Sequence, residues 1–144
     1  MYKRILVPLD GSPLAADVLP HVQALAKSVG AAVVLLRVAF THVLPGANPI
    51  ERQVTAVQDA ESYVMERAKT LQERGIQAEG KVRYGDPAEE ILEHVTQDQI
   101  DLIAMATHGR TGLKRVVLGS VTEQVLRRTP VPMLLWRVHP LEEP

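Results

Sequence analysis

The feature that most constrains this chain is a set of short apolar runs that do not alternate. Ile5-Leu6-Val7, Val33-Val34-Leu35-Leu36 and Leu102-Ile103-Ala104-Met105-Ala106 carry apolar side chains on successive residues. Successive side chains of a strand point to opposite faces, so such a run needs cover on both. A parallel sheet between two helical layers supplies that cover. The intervening segments place apolar residues every three or four positions, the spacing of a helix with one buried stripe. Val18, Val22, Leu25 and Val29 form one stripe, in a helix predicted to end at Gly30. Pro20 is predicted to bend that helix, because it donates no hydrogen bond to Ala16. Val54, Val57, Val64, Ala68 and Leu71 mark a long helix ending at Gly75. A shorter helix, Ala88 to Thr96, is predicted to bury Ile91, Leu92 and Val95, and a last one runs from Ser120 to Arg128.

Strands complete the pattern. Gln77 to Tyr84 is more polar and alternates, as an edge strand does. Met133 to Val138 follows Pro130 and Pro132 and reads as a second edge. The order β-α-β-α-β-α-β-α-β, with right-handed crossovers, predicts an α/β fold: a five-stranded parallel sheet with helices on both faces. At 144 residues, without repeat or linker, residues 1–144 are expected to form one domain. The absence of cysteine excludes disulfides, thiolate catalysis and Cys-ligated metals. A net charge of −1 gives no reason to expect nucleic acid or an anionic membrane as partner. No apolar run approaches the roughly 18 residues that span a bilayer, and the N-terminus shows no signal-peptide pattern. A cytoplasmic location is expected.

Three turns carry the candidate chemistry. Asp10 ends the first strand, where open α/β sheets bind ligands, although from its spacing to Gly11-Ser12-Pro13 alone a cap or turn residue is the better reading. Gly85-Asp86-Pro87-Ala88-Glu89 supplies a turn, a cap, a proline at the first helical position and a capping-box glutamate. An acidic cap is a poor neighbour for phosphate, so this turn reads as structural. The third turn follows Ala106: Thr107-His108-Gly109-Arg110-Thr111-Gly112, then Lys114-Arg115 and a helix start at Gly119-Ser120. A strand, a glycine-bearing loop and a helix N-terminus together bind anions through backbone N–H groups. Ser120 and Glu123 fit an S-x-x-E capping box, which places the helix start there. Neither the Walker motif nor the dinucleotide fingerprint is present.

Catalytic patterns are missing as well. There is no H-E-x-x-H, no G-x-S-x-G and no second acid beside Asp10. His108 is the one acid–base candidate, and a loop histidine more often hydrogen-bonds its neighbours or a phosphate. Arg110, Lys114 and Arg115 read either as a phosphate-neutralising set or as a solvated basic face. His21 reads as solvated, and His42, in the surface loop from Phe40 to Pro49, receives no role.

Ala106-Thr107-His108-Gly109, nine residues, then Gly119-Ser120 resembles the nucleotide loop of the universal stress protein family. ATP-binding members of that family carry Gly-x-x-Gly, nine residues, then Gly-Ser or Gly-Thr. Gly109, Gly119 and Ser120 match, and Ala106 stands where the first glycine would be. Alanine keeps a close backbone approach unless the position needs a positive φ. The resemblance extends over nearly the whole chain and implies strand order 3-2-1-4-5, a Rossmann-like sheet of the adenine nucleotide alpha hydrolase type. It further implies ATP or another adenine nucleotide as ligand, with the backbone of Val38 and Ala39 at the base and Asp10 near the ribose or a Mg²⁺ ion. Ala106, His108, Gly109, Arg110, Gly119, Ser120, Val121 and Thr122 would surround the phosphates. It implies a homodimer through Val131–Val138, reported by Trp136, and a stress-response regulatory role. Slow ATP hydrolysis or self-phosphorylation on Ser120 or Thr122 is the most chemistry such a site admits. The alternative is an interaction protein of the same fold that binds no nucleotide; an enzyme acting on a small phosphorylated substrate has the least support.

Overall fold

A continuous apolar run should be buried on both faces, and the central strands satisfy that requirement. The computed structural model describes residues 1–40, 45, 46, 48–109, 116, 117 and 119–138. The strands are β1 (Arg4–Pro8), β2 (Ala32–Ala39), β3 (Ala78–Tyr84), β4 (Leu102–Gly109), β5 (Val116–Val117) and β6 (Met133–Val138). Five of them are parallel in the order β3-β2-β1-β4-β6, so the C-terminal strand is the fifth in the predicted 3-2-1-4-5 sequence. The helices are α1 (Pro13–Ala16), α2 (Leu19–Val29), α3 (Pro49–Glu73), α4 (Pro87–Gln97) and α5 (Ser120–Arg128).

Alternation along each strand sorts the core into two layers. Ile5, Val7, Val33 and Leu35 face Val22 and Ala26 of α2 and Val64, Ala68 and Leu71 of α3. Leu6, Val34, Leu36 and Ile103 face Ala88, Ile91 and Val95 of α4 and Val125 of α5. Among the described residues no helix is long and apolar enough to cross a membrane.

Four local features depart from the sequence expectations. The first helix is broken rather than bent: α1 stops at Ala16 and α2 restarts at Leu19, with Pro20 in its first turn. Without an N–H at Pro20 the ladder fails there, and proline is tolerated only at a new helix start. Val29 is 40% exposed, and Ala26 takes the expected place in the core. The long helix α3 buries only Ala60, Val64, Ala68 and Leu71, while Val54 stands 49% exposed. Finally, β4 continues through Thr107, His108 and Gly109, where a loop was expected. Those residues find partners: His108 and Gly109 pair antiparallel with Val117 and Val116 of β5, and His108 also pairs with Val138 of β6. The two-residue β5 had no periodic signal to announce it.

Asp86 caps α4 as predicted, accepting from the Glu89 N–H at 3.1 Å. Glu89 itself does not close the capping box; its carboxylate pairs with Arg128 of α5 and ties the two helices together. His94 is a buried residue of α4 that the apolar pattern did not include. Its Nε2 lies 3.0 Å from Asp98, which also pairs with Arg4 at 2.8 Å. Burial lowers the His94 pKa, the Asp98 carboxylate offsets part of that, and Arg83 and Lys81 add to the depression. Above the unfolded value of about 6.5 the imidazole is neutral in both states, so this group makes stability independent of pH. Below it the unfolded chain takes up the proton first, and stability falls until pH reaches the lower folded value. Denaturation curves from pH ~7 downward should show this decline, and His94→Gln should flatten it. Burial raises the Asp98 pKa, but Arg4 and His94 outweigh that and hold it below the ordinary carboxylate range. Loss of its contribution therefore occurs in a separate, more acidic window.

Candidate functional site

In the order β3-β2-β1-β4-β6, the chain leaves β1 toward one side of the sheet and β4 toward the other. That reversal opens a crevice at the carboxyl ends of these strands. A cleft of about 300 Å³ lies there, in the size range of small-molecule sites. Its walls come from separate parts of the chain. Asp10 and Ser12 follow β1, Leu36 and Val38 close β2, and Met105, Ala106 and Thr107 end the buried part of β4. Gly119, Ser120, Val121 and Thr122 form the start of α5, and Pro87 and Ile91 reach in from α4.

The turn after β1 is held by its own polar groups. Asp10 Oδ1 accepts the Ser12 N–H at 2.8 Å, and Ser12 Oγ accepts the Ala15 N–H at 3.2 Å as the cap of α1. Gly11 between them has φ +85°, a conformation that glycine adopts without strain. Asp10 is therefore a turn residue that also stands on the wall of the cleft.

The start of α5 differs from the expected capping box. Gly119, with φ −63° and ψ 156°, is the N-cap, and no side chain caps the helix. Ser120 is already helical, and the Glu123 carboxylate turns toward Arg127 at 2.7 Å instead of back to the N-terminus. Ser120, Val121 and Thr122 occupy the first turn, where backbone N–H groups have no acceptor within the helix. They stand at the cleft together with the positive end of the helix dipole. Among the described residues, neither conformation nor packing requires glycine at position 119. Its φ is ordinary, and a Cβ there would meet nothing described within 4 Å. With no side chain at position 119, the N–H groups at the start of α5 are open to a ligand that approaches closely.

Ala106 raises no conflict with that arrangement. It sits in β4 opposite Trp136, and among the described non-glycine residues only Gln99 has a positive φ. The position does not call for glycine's freedom. Ala39 does not line the cleft: it is buried beyond Val38, and its carbonyl accepts the Gly85 N–H at 3.1 Å. His108 and Gly109 continue β4 past the cleft wall, and Arg110, Lys114, Arg115 and His42 lie outside the described residues. The cleft wall also holds residues that the sequence did not mark for a site, among them Ser12, Leu36, Met105, Thr107, Pro87 and Ile91. Ser12 and Pro87 were legible as helix-start residues, and every strand-to-helix turn of a parallel sheet lies on this edge. Nothing local marks Ile91, which reaches the cleft only because α4 packs across β2.

The cleft combines one carboxylate, Asp10, with the hydroxyls of Ser12, Thr107, Ser120 and Thr122, and its other wall, with Leu36, Val38, Ile91 and Met105, is apolar. Such a site suits a ligand with an anionic end and a flat apolar end. The chain matches the universal stress protein family model over residues 1–137. The chain belongs to the universal stress protein family. A universal stress protein of Methanocaldococcus jannaschii is 31% identical over 155 aligned positions, covering 94% of each chain. Its solved structure superposes with a TM-score of 0.79, covering 96% of this chain and 97% of that one. Two further structures at 18% identity share the fold: a universal stress protein in complex with cAMP, TM-score 0.69, and one from Archaeoglobus fulgidus in complex with dAMP, TM-score 0.65. They cover 93% of this chain and 96% and 97% of the respective neighbours.

Proposed function

We propose that the cleft binds an adenine nucleotide, ATP in the first instance, and that the protein acts as a stress-response regulatory module of one domain. The observation that carries this reading is the start of α5 at the cleft, which no side chain caps, behind a glycine that none of the described residues requires. The nucleotide complexes of the related fold support it. The N–H groups of Ser120, Val121 and Thr122 and the two hydroxyls hold the phosphates, and the family resemblance adds Gly109, His108 and Arg110 to that set. The base lies against Val38 and the apolar wall, near Ala39. Asp10 takes the ribose hydroxyls or shares a Mg²⁺ ion with the phosphates. One carboxylate suits that ion, because Mg²⁺ is commonly held by one or two carboxylates together with substrate phosphates. No residue is assigned a catalytic role.

The signal is read through a homodimer in this proposal. Among the described residues β6 pairs only with β4, and its other edge has no strand partner. Pairing two copies along Val131–Val138 would cover that edge.

Titration calorimetry of nucleotide-stripped protein with ATP and Mg²⁺ tests the reading. Micromolar affinity, roughly −8 kcal/mol, is the expected result, with a dimer in sedimentation. A folded protein that takes up no adenine nucleotide would overturn the reading in favour of an interaction protein of the same fold.

A further inference from the structure

We propose that Arg37 is a positioning residue for the cleft: it braces the β1–α1 turn from behind, and through that turn it sets the Asp10 carboxylate. Arg37 lies on β2 between Leu36 and Val38, and alternation turns Val38 toward the cleft and Arg37 to the opposite face. There its guanidinium carbon sits 4.9 Å from the centre of the Tyr63 ring of α3. Arg67, one helical turn along, stands at 4.9 Å from the same ring.

The other side of the Arg37 group meets Gly11. A Cβ at Gly11 would lie 3.0 Å from Cζ, 3.0 Å from Nη2 and 3.1 Å from Nη1. Three nearly equal distances mean that the guanidinium lies flat against the turn rather than pointing an N–H at it. A planar ion therefore fills the gap between the α3 ring and the turn, a geometry open to arginine and closed to lysine. Among the described residues neither Arg37 nor Arg67 is in an ion pair, whereas Arg4, Arg83, Arg127 and Arg128 all have carboxylate partners. Contact with the Tyr63 ring on one side and the Gly11 turn on the other holds Arg37 in place.

The consequence falls on the cleft. Gly11 separates Asp10 from Ser12, both of which line it, and one 2.8 Å hydrogen bond joins those two. With the guanidinium removed, a turn containing a glycine at φ +85° loses its rear wall, and Asp10 loses its fixed direction. The affinity part of this inference rests on the nucleotide reading; the turn geometry does not.

The test compares Arg37→Lys, which keeps the charge and loses the plane, with Arg37→Met, which keeps length and apolar contact. Two quantities are measured: Mg²⁺–ATP affinity, and fast amide exchange at Ser12 in the ligand-free protein by NMR. Both variants should bind about 10-fold more weakly, or 1.4 kcal/mol, and exchange the Ser12 amide faster. Exchange at Leu6 and Leu35 should stay at the wild-type rate. Unchanged Ser12 exchange in both variants would overturn the proposal, as would acceleration shared equally by Leu6 and Leu35, or full retention of wild-type behaviour by the lysine variant. If the wild-type protein binds no adenine nucleotide, the nucleotide reading fails by itself, and Ser12 exchange still decides the role of Arg37.

Discussion

Replacing Gly80 with valine should destabilise the protein by about 3 kcal/mol, the upper end of what overpacking costs. The sign is the opposite of what the local sequence suggests. Valine favours strands and glycine weakens them, so inside β3 the exchange looks beneficial. The tertiary structure reverses that expectation. A Cβ at Gly80 would lie 2.9 Å from the carbonyl carbon of Val64 and 2.9 Å from its Cγ2. The obstacle is helix backbone, which no rotamer change moves aside. To make room, α3 would have to rise off the sheet and lift Ala60, Val64, Ala68 and Leu71 from the core. With total stabilities of about 5–15 kcal/mol, that is a substantial fraction. Urea denaturation measures it, and Gly80→Ala should fall between valine and wild type. An unfolding midpoint for the valine variant equal to wild type would mean that α3 does not pack this closely on β3.

Gly119→Asp should move stability and ligand affinity in opposite directions. Aspartate is a better N-cap than glycine by a few tenths of a kcal/mol, and its charge complements the helix dipole by about 0.3–1 kcal/mol. Position 119 has an ordinary φ, and none of the described residues lies within 4 Å of a Cβ there, so they leave room for the side chain. The carboxylate then accepts the N–H groups at the start of α5 and places a negative charge where the phosphates are proposed to bind. Adenine nucleotide affinity should fall at least ~100-fold, or 2.7 kcal/mol, while the denaturation midpoint rises slightly. Stability lost along with affinity would show that the variant damages the helix start itself. Stability gained with affinity unchanged would remove the phosphates from this end of α5.

The continuous runs at Ile5–Val7, Val33–Leu36 and Leu102–Ala106 carried the sheet. Burial on both faces is a demand that each strand makes alone, so it appears in local composition. Caps were legible for the same reason at Ser12 and Asp86, whose side chains satisfy N–H groups within three residues of themselves. The capping box at Ser120 and Glu123 was local too, yet it did not form. An i, i+4 partner at Arg127 took the glutamate, and the pattern by itself contained both options. The length of β4 was likewise decided by its neighbours. His108 and Gly109 remain extended because β5 and β6 offer them hydrogen bonds, and hydrogen-bonding partners distant in sequence leave no periodic trace.

The sequence by itself determined the fold class, the strand order through its family motif, and part of the crevice wall, namely Asp10, Val38, Ala106 and Gly119 to Thr122. Those depend on side-chain type and on spacing along the chain. Only the tertiary structure decided which backbone surfaces touch: Gly80 under Val64, Ile91 at the cleft, and the Arg37 guanidinium between Tyr63 and Gly11. These contacts join residues of separate elements at distances of a few ångströms. The relative height and rotation of packed layers sets such distances, and no stretch of sequence read alone encodes them.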